Sequence, residues 1–510
     1  DPALADWSVG KRWKNFIQQG NIAAIIPDLG SSDPELQNTP KVRASIWNDT
    51  VATADAHNKP GLFTAFAAYE WTSTPAGNNL HRVVLMRDNA DKATMIEPYT
   101  TTPPLGSPNP RDLWKWMENW EKETGGQMLA IPHNGNLSNG WMFPLVDNFD
   151  ENNPLDSSYL KNRARWEPLV EVSQSKGDGE THPLLSPDDD FADFETWDIG
   201  NLDVSQAKTP QMLPGEYARA GLKRGLEIEG SAGTNPYKFG MIGSTDTHTA
   251  LSTSAENNFF GKMANKEPHA GRSAGQEKAN AKLGISRQAW QTVASGVVAV
   301  WANENTRGEI FDAMQRKETF ATTGPRIRVR LFGSFDFTEE DARTRQPATL
   351  GYSKGVPMGG DIKAAPQGKA PTFLVAAMKD PQSGNLDRIQ IVKGWVDDSG
   401  QAQEKVYNAV WGDADKRKVD RKGDLTPVGS TVDARTATWT NTIGNAELIT
   451  VWKDPNFNPS VSAFYYARVL EIPTPRWTTY DAARFGEAIP AGAPVSIQER
   501  AYTSPIWYTP

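Results

Sequence analysis

Asp246 and His248 stand two residues apart in "GSTDTHT", within a chain of 510 residues that holds only six histidines. On a strand, residues i and i+2 face the same side. A carboxylate and an imidazole would then converge on one point, half of a site for a hard-to-borderline divalent ion. The alternative is a hydrogen-bonded Asp–His pair at a strand end. His133 follows the apolar run of "QMLAIPHNG", bracketed by Pro132 and Gly135, which reads as an exposed turn and leaves a turn-stabilising role open. Glu70 closes "GLFTAFAAYE", where it could also cap a neighbouring helix. His81 opens "HRVVLMR", and Glu171 stands near the end of the strand read in "EPLVEVSQS". Buried charges persist only when paired or on a metal, so such groups at the ends of apolar runs point to one shared site. The chain has no cysteine, so the donors would be nitrogen and oxygen, and Zn, Mn or Fe would suit them.

The elements that must position these residues alternate. Residues 41–57 read as a helix that stops before Lys59-Pro60-Gly61. Residues 110–124 read as a second helix, with Leu113, Trp116, Met117 and Trp120 on one face and Gly125-Gly126 as its stop. Strands are expected at "GLFTAFAAYEW", "HRVVLMR", "QMLAIPHNG", "EPLVEVSQS" and "KFGMIGSTD", and a helix over 215–229. Near-continuous apolar strands alternating with helices are the pattern of a mainly parallel α/β sheet or barrel, whose ligand site lies at the carboxyl ends of the strands. Residues 262–296 are polar and read as an excursion or lid. Thr306 to Glu309 has the capping-box pattern and opens a helix to about Arg316. From residue 325 short alternating runs between Gly, Pro, Asp and Asn turns read as an antiparallel β domain of sandwich type. The expected domains are therefore 1–324 and 325–510.

The formal net charge of −9 with mixed signs argues against a nucleic-acid surface. No apolar run approaches the length of a membrane span. Absence of cysteine is compatible with a periplasmic or extracellular bacterial protein. The 18 tryptophans would fill cores and interfaces, with a sugar site as the alternative. Phosphate-loop and H-E-x-x-H patterns are missing.

Taken together, "AYEWTS", "NNLHRVV", "IPHNGNLSNG", "EPLVEVSQSKGDGETHP", "GSTDTHT", "NFFGK", "FATTGPRIRVR", "YYARVLEIPTPRW" and the terminal "TSPIWYTP" resemble the large bacterial domain-of-unknown-function family 3604. They also resemble the PHP (polymerase and histidinol phosphatase) superfamily. That resemblance implies a distorted (β/α)7 barrel holding two or three divalent ions and hydrolysing phosphoesters. It implies Glu70 as a bridging ligand, with His81, His133, Asp246 and His248 as further ligands. Glu171, Lys176, Glu180 and His182 would lie at the same rim in substrate-binding or supporting roles. Asp246 or a neighbouring histidine would shuttle the proton, so Asp246, His248 and Glu70 carry the expected catalysis. The superfamily's His-x-His pair and later Asp-His pair are missing from this sequence, and the run "NIAAIIPD" supplies no histidine. The barrel is therefore expected to lack its first strands. An upstream segment of roughly a hundred residues, two or three βα units, would carry those ligands, as part of the chain or as a separate fragment. The expected function is a metal-dependent phosphoesterase acting on a small-molecule or phosphoester substrate. The alternative is a non-catalytic binder of an envelope component or glycan on a degenerate scaffold. Oligomeric state is left open.

Overall fold

The structure is a computed structural model that describes residues 8–18, 24, 40–150, 155–294, 296–397, 399–421 and 424–510. The run "NIAAIIPD" lies almost wholly outside the described residues. Two compact units are present: residues 1–71, 84–128 and 304–309 form one, and 72–83, 129–303 and 310–510 the other.

In the first unit the helix Pro40–His57 ends before the Lys59-Pro60-Gly61 break. The helix Pro110–Thr124 starts on an Asn109 cap that accepts from the Arg111 N–H, and stops at Gly125 in the left-handed region (φ 63°). It buries Leu113, Trp114, Met117 and Trp120. Trp116 is only half-buried and packs edge-on against Tyr69, which meets Trp47 in the same manner.

Strands β1 (Ala67–Trp71), β2 (Arg82–Met86) and β3 (Met128–Pro132) form one small sheet in that order. Strands β4 (Leu169–Gln174), β5 (Gly177–Asp178) and β6 (Gly240–Gly243) form another, in which β4 pairs β6 in parallel and β5 in antiparallel. The helix Ala218–Ala232 precedes β6.

The expected (β/α)7 barrel is not what these elements build. Among the described residues, nine α-helices and 22 strands are distributed over several small sheets and one eight-stranded sheet. The reason lies at the free edge of β6. In a barrel another βα unit would pair there. Here the Met241 N–H donates to Ser504 Oγ (3.0 Å) and the Thr319 hydroxyl donates to the Met241 carbonyl (3.1 Å). A Cβ on Gly243 would come within 2.9 Å of the Thr322 and Val297 carbonyls, so β6 abuts the large β-sheet closely enough to require glycine. The apolar strands are satisfied by β-structure from later in the chain.

That large sheet contains Val297–Val300, Thr319–Thr322, Leu386–Val396, Ala402–Trp411, Ala463–Glu471, Arg500–Thr503 and Ile506–Thr509, with Asp361–Lys363 paired in parallel at one end. It takes strands from both sides of residue 324. A four-stranded antiparallel sheet built on Arg328–Ser334, Thr372–Met378 and Glu447–Lys453 lies beside it. One core joins the two: Val329, Leu331, Phe373 and Val375 pack with Ile389, Ile391, Tyr465 and Ala467. Residues 276–288 of the expected lid form a two-stranded hairpin, Gln276–Asn280 with Ile285–Gln288. No described helix is long and apolar enough to cross a membrane.

Glu471, at the end of its strand, is fully buried and takes a hydrogen bond from the Ser383 hydroxyl at 2.5 Å. Burial pushes its carboxyl from 4.5 up to about 8; the Ser383 hydrogen bond opposes the rise and the Asp380 charge adds to it. The native state therefore binds this proton more tightly than the unfolded chain. Its favourable contribution is full below pH 4.5 and is lost as the pH rises toward 8. Glu471→Gln is expected to gain stability on the wild type across that interval, by up to about 1.4 kcal/mol for each pH step of one. Denaturant melts at pH 5 and pH 8 check this; parallel pH profiles for the two proteins would contradict it.

Candidate metal centre and its basic rim

The turn after β3 carries His133. It is buried, not exposed as its flanking Pro132 and Gly135 suggest, because the buried Asn79 amide donates to the carbonyls of His133 (2.7 Å) and Asn134 (3.2 Å). Those two bonds satisfy backbone groups that a turn would otherwise present to water. The His133 N–H reaches the His81 carbonyl at 3.4 Å, and the two rings meet edge to face with centroids 5.6 Å apart. His133 Nδ1 lies 3.4 Å from the Ile131 carbonyl. A carbonyl can only accept, so Nδ1 is the donor in this contact, and Nε2 is the nitrogen the neutral ring would offer to an ion. His81 Nε2 lies 2.9 Å from Thr74 Oγ1. Glu70 on β1 completes the group: its carboxylate and a ring nitrogen of each histidine lie within 4.8 Å of one another. One carboxylate and two imidazoles suit a single borderline divalent ion with coordination positions left for water or substrate, and a ligand histidine steadied through its other nitrogen is the usual arrangement.

The neighbouring Asn134, in the left-handed region at φ 49°, connects this centre to a basic rim. Its side-chain oxygen accepts from Lys176 Nζ (2.7 Å) and Gln174 Nε2 (2.6 Å). Lys176 and Lys262 both place their ammonium groups on Oδ2 of Asp246. Burial alone would raise the Asp246 carboxyl, but the two ammoniums outweigh it and hold the group well below the usual carboxylate range. Burial and the adjacent Lys176 charge push Lys262 down to about 8, with Asp246 opposing. Glu171 is buried in the middle of β4 rather than at its end and takes a hydrogen bond from the Ser244 hydroxyl. Burial raises its carboxyl, and the charges of His133, Asp246 and Lys176 all reach it.

His133, Glu171, Lys176 and Asp246 thus share one neighbourhood, with His81 against the His133 ring. The geometry expected of Asp246 and His248 is different. Strand β6 stops at Gly243, and Asp246 sits in a left-handed conformation at φ 53°, so the period-two alternation of a strand does not reach them. His248 has 43% of its side chain exposed and lies 3.7 Å from Asp246 through Nδ1. Glu180 and His182 have other partners. Glu180 is buried against Arg219, Arg468 and Tyr466. His182 Nδ1 accepts from the Leu184 N–H (3.1 Å), with Nε2 3.4 Å from Asp198.

Asn79, Asn134, Gln174, Ser244 and Lys262 were not legible as site residues. Asn134 had a weak signal as the neighbour of His133, and Lys262 stood in the motif "NFFGK". Only the folded chain brings Lys262 onto a carboxylate sixteen residues earlier.

The chain belongs to the family described as "Protein of unknown function (DUF3604)", whose model matches residues 9–510. No curated protein and no solved structure matches the chain.

Proposed function

We propose that this protein is a metal-dependent phosphoesterase of PHP-like type, with the Glu70, His81 and His133 group as its ion-binding centre. The observation that carries the reading is that three metal-type donors lie within 4.8 Å of one another beside a rim with two ammonium groups on a single carboxylate. The motif likeness to the PHP superfamily supports it. A divalent ion in that centre would supply Lewis acidity and a water deprotonated more easily near neutral pH. The Lys176 and Lys262 ammoniums would orient the anionic oxygens of a phosphoester, since one carboxylate neutralises only one of them. Asp246 would hold both lysines at the rim, and Asn134 would tie Lys176 to the His133 turn. His248, at the open side, would exchange protons with solvent. Zn, Mn and Fe all suit the donor set, and three donors suffice for one ion; a second would draw on Asp246.

Protein loaded with Mn or Zn and then desalted is expected to retain about one ion per chain by elemental analysis. It is also expected to hydrolyse p-nitrophenyl phosphate or its bis-ester, and to stop in chelator. Failure to retain any ion, or unchanged turnover after the ion has been removed, would overturn the reading.

A further inference from the structure

We propose a second ligand site, independent of the metal centre: a cleft of about 410 Å3 in the β-rich part of the chain that binds a carboxylated sugar. Six residues from separate elements matter. Trp301 and Asn303 follow the strand Val297–Val300, Arg316 and Glu318 precede Thr319–Thr322, Arg330 lies on Arg328–Ser334, and Tyr352 lies on the helix Pro347–Lys354. The volume falls within the range of small-ligand pockets.

The floor is rigid. Trp301 Nε1 donates to the Val329 carbonyl at 3.0 Å, which fixes the indole plane. The Arg330 guanidinium lies over that ring, 3.3 Å from its centroid. Arg330 Nη1 donates to the Tyr352 hydroxyl at 3.1 Å, and that hydroxyl donates to Glu318. Arg316 stands 3.5 Å from Glu318 with 48% of its side chain exposed.

Charge selects the ligand. Among the described residues Arg330 has no carboxylate partner: its one hydrogen bond goes to a neutral phenol, and its other contacts are aromatic rings. Two guanidiniums against one carboxylate leave a single positive charge. A monoanion balances it; a phosphate dianion would exceed it. Guanidiniums offer only donors, so they call for a carboxylate; the Glu318 carboxylate accepts from Tyr352 and Arg316, and its further lone pairs would take ligand hydroxyl groups. A molecule that carries both is a polyhydroxy carboxylate, that is, a uronate-type sugar, alone or as a residue of an acidic glycan. An aromatic acid would meet the guanidiniums but bring no hydroxyl to the Glu318 lone pairs that Tyr352 and Arg316 leave over. Tyr352 is half exposed, so the cleft is open to the surface.

The test is calorimetry or ligand-observed NMR with the full chain. Glucuronate and galacturonate are compared with glucose and galactose, first as monosaccharides and then as short oligomers, in chelator so that the metal centre plays no part. Uronates are expected to bind at least about tenfold more tightly than the neutral sugars. Arg330→Gln and Arg316→Gln are each expected to weaken uronate binding by about tenfold, the effect of losing one charge-assisted contact. Arg316 is largely exposed, so its variant decides the matter if Arg330→Gln does not fold. Equal binding of neutral and acidic sugars, uronate binding unchanged in the variants, or no binding at tens of millimolar ligand would each overturn the proposal.

Discussion

Alanine at His133 is expected to abolish phosphoester hydrolysis, by about a thousandfold or more, and to release the ion with it. Two of the three grouped donors are imidazoles, and losing one leaves too few nitrogen ligands for a borderline ion. A thousandfold corresponds to about 4 kcal/mol of barrier, within what a Lewis acid supplies. The turn itself should survive, because Asn79 grips main-chain carbonyls of His133 and Asn134 that alanine retains. Lys262→Met provides the contrast: it keeps the three donors, removes one of the two ammoniums on Asp246, and is expected to retain the ion while losing about a hundredfold in kcat/KM toward an anionic ester. Ion content and steady-state kinetics on the two variants check this. Full turnover in His133→Ala would end the assignment of the centre.

Alanine at Glu180 is expected to destabilise the fold by about 3–5 kcal/mol, the cost of leaving buried charges without a partner. Arg219 and Arg468 are fully buried, and they share Glu180 and Asp189: Arg219 lies 2.9 Å from Asp189, Arg468 lies 2.5 Å from Asp189 and 3.3 Å from Glu180. The Tyr466 hydroxyl also donates to Glu180, and Gln390 accepts from Arg468. Burial would raise the Asp189 carboxyl, but the two guanidiniums outweigh it and hold it well below the usual range. Its contribution is therefore present above the ordinary Asp value and lost as the pH falls through its lowered one. Removing Glu180 leaves two guanidiniums sharing Asp189, with Glu404 reaching Arg219 at 3.0 Å from the edge of the network. Glu404→Ala, where the side chain is partly exposed, should cost about 1 kcal/mol. Equilibrium denaturation at neutral pH distinguishes them. A Glu180→Ala protein within about 1 kcal/mol of wild type that nonetheless lost turnover would return Glu180 to the substrate-binding role its motif implies.

What the sequence by itself determined is local. Buried strands read as unbroken apolar runs, so "MLAIP", "LVEVSQ" and "GMIG" were visible as β3, β4 and β6. Asn109, Pro110 and Gly125 bound their helix by backbone chemistry that needs no partner. The residue types gathered at Glu70, His81 and His133 were visible too, because few histidines stand near apolar run ends. Tertiary structure decided what no window of sequence contains. Whether β6 meets another βα unit or the large sheet depends on Thr319 and Ser504, far along the chain, so the barrel expectation failed there. Whether His133 is exposed depends on Asn79, and whether Glu180 faces a ligand or two arginines depends on Arg219 and Arg468. Whether Asp246 pairs with His248 or with two lysines depends on a left-handed residue that ends strand geometry. Hydrophobic periodicity reports burial along one element. The partner of a buried charge is set by long-range packing, and here packing places each acid beside cations distant in the chain.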